Sequence, residues 1–203
     1  MPDNHLKNIT DKQDLLLVVD GNALVHRAWH GMKASITLSK TGEDVRGVYG
    51  FLSMLFKVIE ESHPSHCVVA FDTPAPTFRH KQFEAYKAQR PSAPQELRNQ
   101  FPFVKDALNA FNVPIYEIDG YEADDVLGTV ATQSKKAGLD CLIWTIDTDI
   151  LQLVEPGISV LLKDRLLKES DVKERYGGLT PEQVIDYKAL RGDSSDNIPG
   201  VPG

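Results

Sequence analysis

The sequence predicts an α/β domain with a central, mostly parallel sheet flanked by helices. Three observations carry that expectation. Short apolar runs (LLLVV at 15–19, HCVVAF at 66–71, DCLIWTI at 140–146) are continuous, not alternating, as strands covered on both faces are. Stretches of helical period separate these runs, and a strand–helix–strand order implies parallel crossovers. At 203 residues, 41% hydrophobic and 25% charged, the chain has the size and balance of one globular domain with a real core.

In chain order, MPDNHLKNITDKQD is polar and reads as a short flexible tail, residues 1–13, with no signal-peptide core. LLLVV is the first strand. GVYGFLSMLFKVIEE at 47–61 places Val48, Leu52, Leu55 and Ile59 at helical spacing and stops before His63-Pro64. HCVVAF is the second strand. Residues 94–111 read as mostly helical, with Pro102 expected to kink or break them. VPIYEI at 113–118 is the third strand, and a helix follows from Glu122 to Ala137 with Gly138 as its C-terminal cap. DCLIWTI is the fourth strand and ISVLL at 158–162 the fifth. Thr180-Pro181-Glu182-Gln183 has the form of a capping box with Pro at the first helical position, opening a helix to about Leu190. No apolar run approaches the length of a membrane span, so the expected location is cytoplasmic. Cys67 and Cys141 each sit inside an apolar run and read as buried thiols.

The acids are the informative feature. Asp20, Asp72 and Asp147 each directly follow a predicted strand, with Asp149 two residues beyond the third. Glu122, Asp124 and Asp125 open a helix in GYEADD, and Asp193 and Asp196 lie in GDSSDN. Singly, each has a plain explanation: a turn residue, an N-cap, or an acid opposing a helix dipole. In a parallel sheet, however, the carboxyl ends of the strands share one edge, where ligands bind. Carboxylates gathered there repel one another unless cations sit among them. With no His or Cys in these motifs the donors are hard oxygens, which favours Mg²⁺ or Mn²⁺, and two ions suit phosphodiester hydrolysis. DTDILQLVEPG is not a calcium loop, because Leu151 and Gln152 stand where an oxygen ligand and a Gly are needed. The net charge of −7 is concentrated in these acids, and the remainder is slightly basic, so DNA is not excluded as a partner. FRHKQFEAYKAQRPSAPQELR at 78–98 carries Arg79, Lys81, Lys87, Arg90 and Arg98 interleaved with Phe78, Phe83 and Tyr86, a composition suited to single-stranded DNA.

VDGNALVHRAWH, FDTPAPTFRHKQFEAYKAQRP, GYEADDVLGT, DTDILQLV and LRGDSSDNIPGVPG, in this order and spacing, resemble the 5′-nuclease domain of bacterial DNA polymerase I, within the flap endonuclease superfamily. The resemblance implies a PIN-like 5′-nuclease fold: a catalytic domain over 14–178, a helical arch at about 77–100, and at 179–203 the start of a helix-hairpin-helix element. It implies 5′→3′ exonuclease and flap-cutting activity on 5′ flaps and on nicked or primer-bearing duplex, for primer removal and repair, with a possible covalent continuation into a polymerase. Asp20, Asp72, Glu122 and Asp124 match ligands of a first metal group, and Asp125, Asp147, Asp149, Asp193 and Asp196 a second. Lys87 and Arg90 match catalytic arch residues, Arg79 and Lys81 phosphate contacts, and Tyr86 a base-stacking residue. Two departures stand out. The family usually has Gly-Asp-Lys/Arg-Asp where this chain has Ile146-Asp147-Thr148-Asp149, and the sequence ends at Gly203 as the helix-hairpin-helix opens, so its K⁺ site is expected to be incomplete. The alternatives are a catalytically weak or inactive DNA- or metal-binding relative, and a related RNA-cutting nuclease.

Overall fold

β1 (Leu15–Asp20) runs through the middle of a six-stranded sheet of order β3-β2-β1-β4-β5-β6 in the computed structural model, which describes residues 14–202. The expected tail, 1–13, lies outside the described residues. β2 (His66–Ala70) and β4 (Asp140–Thr145) flank β1 in parallel, β3 (Ile115–Tyr116) pairs with β2, and β5 (Ile158–Leu162) pairs with β4. The predicted mostly parallel sheet is therefore present. It has one addition, β6 (Arg165–Leu167), an antiparallel edge strand reached through a tight turn with Lys163 at φ 60°.

The continuous apolar runs are explained by burial on both faces. Leu15, Leu17 and Val19 point to one core, shared with Leu142, Trp144 and the helices α1 (Gly21–Gly31), α2 (Arg46–Ser62) and α5 (Gln100–Ala110). Val18, Val68, Ala70 and Ile143 point to the other, against α6 (Ala123–Lys136) and residues of α7 (Glu169–Arg175) and α8 (Pro181–Arg191). α8 carries the predicted capping box from Thr180 and Gln183.

The helix predicted over 94–111 is two helices, α4 (Gln95–Arg98) and α5, meeting at Asn99. Pro102 does not break it: Pro102 is the third residue of α5, where a missing N–H leaves no intrahelical bond unmade. The segment expected as a helical arch carries only short helices, α3 (Phe78–Gln82) and α4, with turns between them. Cys67 and Cys141 are free thiols, as read, and burial pushes them up to about 11 and about 12. Among the described residues, no helix is long and apolar enough to cross a membrane.

The strand order fixes the place of the site. β2 and β3 build outward on one side of β1, and β4, β5 and β6 on the other, so the order reverses between β1 and β4. At such a reversal the connections leave in opposite directions and a crevice opens beyond the carboxyl ends.

Candidate active site

Asp20 ends β1 in that crevice and is 4% exposed. Its Oδ1 accepts from the Ala23 backbone N–H, capping α1, and its Oδ2 accepts a 2.7 Å hydrogen bond from the Thr145 hydroxyl at the end of β4. The plain N-cap reading of Asp20 is thus true, and so is the convergence. Burial dominates despite these bonds and lifts the carboxyl to about 6, helped by Asp72 and Asp147. Close approach is required here: a Cβ on Gly21 would lie 2.4 Å from the Phe71 ring.

Asp72 follows β2 and is oriented by Asn22, whose amide donates to Oδ2 at 2.8 Å while its Oδ1 accepts from the Asp72 N–H. Asp72 Oδ1 also accepts from the Ala123 N–H at 2.7 Å, so it holds the start of α6. Asp124, in the first turn of α6, is pushed up to about 8 by burial and by Asp20, Asp147 and Asp72. Asp147 is likewise raised by burial, with Lys188 the largest neighbouring charge opposing the shift.

Of the five remaining acids, Glu122, Asp125, Asp149 and Asp196 each have a cation. Glu122 accepts from Lys87 Nζ at 3.0 Å and from the Tyr86 hydroxyl at 3.1 Å. Arg79 forms a two-pronged pair with Asp125 at 2.7 and 2.8 Å. Arg90 and Lys87 face Asp196, and Lys188 contacts Asp149. Asp193 is an Asx-type loop residue: its Oδ1 accepts from the Ser195 hydroxyl and from the N–H groups of Ser195 and Asp196, which hold it below the usual range. Among the described residues, Asp20, Asp72, Asp124 and Asp147, at strand ends and the first turn of α6, have no ion pair, and neither has Asp193. Acids from both sides of this division line a cleft of about 630 Å³ with Lys87 and Arg79.

The basic segment crosses this cleft and is tied to the GDSSDN loop. Lys87, at φ 55°, donates its N–H to the Asp196 carbonyl, Arg90 Nε donates to the Ser195 carbonyl, and Asn197 donates to the Ala85 carbonyl. The loop is itself closed by a bridge between Asp193 and Ile198.

Four residues are placed differently from their expected roles. Tyr86 offers little surface to a base: it is 5% exposed, its hydroxyl is bonded to Glu122, and His80 packs on its ring edge-on. Arg79 and Asp125 are committed to each other, and Asp125 also caps the Glu122 N–H. Burial raises Asp125, but the Arg79 bonds, the Glu122 N–H and the positive charges of Arg79 and Lys87 together outweigh it and leave the carboxyl low. Lys81 is exposed and does not line the cleft. Ile146 does not crowd the acids, because it packs against the core shared with α1 and α2. Sequence reasoning missed Asn22, Thr145 and Lys188. Asn22 had a signal, standing two residues after Asp20 in a quoted motif; the other two acquire partners only through tertiary packing.

As placed, no three His, Cys, Asp or Glu side chains among the described residues are close enough to hold one ion. The donor set nevertheless suits a hard divalent cation: all oxygen, concentrated, and with four members at the strand ends and the start of α6 in no direct ion pair.

The family described as the 5′–3′ exonuclease N-terminal, resolvase-like domain matches residues 15–177. The chain is 40% identical over 194 residues to DNA polymerase I of Bacillus caldotenax, covering 93% of this chain and 22% of that protein. It is 44% identical over 189 residues to the thermostable DNA polymerase I of Thermus filiformis, covering 93% and 22%. The chain thus spans about a fifth of the length of these curated relatives. The solved structure of the T5 D15 protein co-crystallised with metal ions superposes with a TM-score of 0.76 at 25% identity, covering 93% of this chain and 70% of that one.

Proposed function

Since the chain belongs to the 5′–3′ exonuclease family whose N-terminal, resolvase-like domain it matches, we propose that it hydrolyses DNA phosphodiesters near 5′ ends and flaps with two divalent ions, Mg²⁺ or Mn²⁺. One observation carries this reading: four carboxylates without ion pairs, gathered at the sheet's switch point beside a basic segment. A fold gains no stability from such a group, so its presence calls for a cation. Likeness to a T5 5′-exonuclease with bound zinc, at 26% identity and a TM-score of 0.74, supports a role for divalent metal.

Asp20, Asp72, Asp124 and Asp147 would hold the ions, with Glu122, Asp149, Asp193 and Asp196 completing their surroundings. When bound, the ions supply a water of lowered pKa and stabilise charge on the leaving oxygen. Thr145 and Asn22 orient two of the ligands. Lys87 and Arg90 lie on the segment above and bring positive charge to the phosphate under attack. Asp125 acts differently from the expectation: with Arg79 it locks α3 to α6 and so fixes the base of the basic segment. The substrates are 5′-flapped, nicked or primer-bearing duplex, consistent with primer removal and repair.

The test is cleavage of a labelled 5′-flapped duplex with Mg²⁺ or Mn²⁺, against EDTA and against single-stranded RNA. Metal-dependent release of the flap is expected. No product from well-folded protein at high concentration with either metal would sink the reading.

A further inference from the structure

Lys188 differs from Arg79, Lys87 and Arg90 because α8 supplies it, not the basic segment, and it reaches Asp149 from an adjoining pocket that Thr148 and Asp193 also line. Its ammonium contacts Asp149 and lies 3.4 Å from the Thr148 hydroxyl, and its side chain is mostly covered. The surrounding charge is lopsided. Asp147 is two residues from its partner Asp149, Asp193 adds a third carboxylate from the loop after α8, and Lys188 is the leading opposing charge at Asp147. A divalent ion and an ammonium need the same carboxylate lone pairs, so Asp149 cannot serve both fully at once.

We propose that Lys188 is a built-in counter-cation that competes with a divalent ion for Asp149 and thereby sets the metal affinity of this side of the cleft. It is a positioning residue: it holds the Asp147–Asp149 turn when no ion is there and gives way when one arrives. The proposal rests on the metal-dependent reading above. It explains why Asp149, which no cation of the basic segment pairs with, still has a cation of its own, and it makes metal loading a displacement and not a simple filling.

The experiment is calorimetric titration of the metal-free protein with Mn²⁺, comparing wild type with Lys188→Met, Lys188→Arg and Thr148→Lys. Removing the charge should tighten one binding step, on the order of tenfold, because a nearby positive charge no longer opposes the ion. Lys188→Arg, which keeps the charge, should bind like wild type. Thr148→Lys adds an ammonium beside the same carboxylate and should weaken binding, an outcome independent of whether Lys188→Met folds well. A merely structural lysine would lower thermal stability on removal without tightening Mn²⁺. Equal affinities in wild type, Lys188→Met and Thr148→Lys overturn this inference alone. No Mn²⁺ binding by wild type overturns it together with the metal-dependent reading.

Discussion

The Thr145 hydroxyl donates to Asp20 across the junction of β1 and β4, joining the carboxyl ends of two strands 125 residues apart in the chain. This bond links sheet topology to chemistry, since together with the Ala23 N–H on the other oxygen it fixes the rotamer of a buried acid. Thr145→Val keeps the shape and removes the donor, leaving a buried acceptor short of one partner. The expected loss is about 1–3 kcal/mol of unfolding free energy in urea, with a weakened metal response. A variant as stable as wild type would show that the bond does not matter to folding.

Asp124 should trade stability for function. It is largely buried, has no ion pair among the described residues, and faces Asp20, Asp147 and Asp72. Asp124→Asn removes the repulsion at nearly constant shape, so the variant should melt a few degrees higher in EDTA while losing flap cleavage. A lower melting temperature would contradict the idea that this carboxylate is a liability without metal.

The same burial gives a pH dependence whose sign can be worked out. In the unfolded chain Asp20 and Asp124 release their protons near 3.8, whereas the fold holds them to about 6 and about 8. Between these limits the folded state binds more protons than the unfolded one, so stability falls as pH rises from about 4 to about 8 and then levels off. Melting curves in EDTA across that range should show the decline, flattened in Asp124→Asn; a steady increase would refute it.

Divalent metal should reverse that cost. At about a hundredfold excess over its dissociation constant, a ligand specific to the fold adds about 2.7 kcal/mol. Mg²⁺ or Mn²⁺ should therefore raise the melting temperature by several degrees, and EDTA should return it. Double replacement of Asp20 and Asp124 by Asn should abolish the shift.

Gly21 is a steric test of how Asp20 is placed. A methyl group there meets the buried Phe71 ring at 2.4 Å, well inside contact distance. Gly21→Ala should cost about 1–3 kcal/mol and reduce cleavage by displacing the start of α1, which carries the Asp20 cap. Near-wild-type melting and activity would mean that Phe71 gives way freely.

Much of this was legible in the sequence because it depends on local pattern. β1, β2, β4 and β5 are continuous apolar runs, and Asp20, Asp72, Asp124 and Asp147 follow strands or open a helix, so parallel topology alone brings them to one edge. The signal fails where an element is short or at the margin. The third strand shrinks from the predicted 113–118 to Ile115–Tyr116 at the sheet edge, and β6 is three residues, too few to display a period. Partnerships were the least visible level. Tyr86 reads as an exposed stacking ring until the fold places its hydroxyl on Glu122, and Arg79 reads as a phosphate contact until α3 docks against α6 and Asp125 takes both of its prongs. Lys188 looks like a solvated helix charge, because nothing along the chain shows that α8 lies over the Asp147–Asp149 turn.

The β1–β4 junction also governs when the molecule becomes chemically competent. Pairing strands so distant in sequence requires closing a long loop before any contact rewards it, which makes such pairing slow. The acids are drawn from segments on both sides of that loop, so a chain that has formed only β1, β2 and their helices holds Asp20 and Asp72 without Asp124 or Asp147. Competence therefore arrives with global folding, and the exchange rate of amide hydrogens at the end of β1 should report on both together.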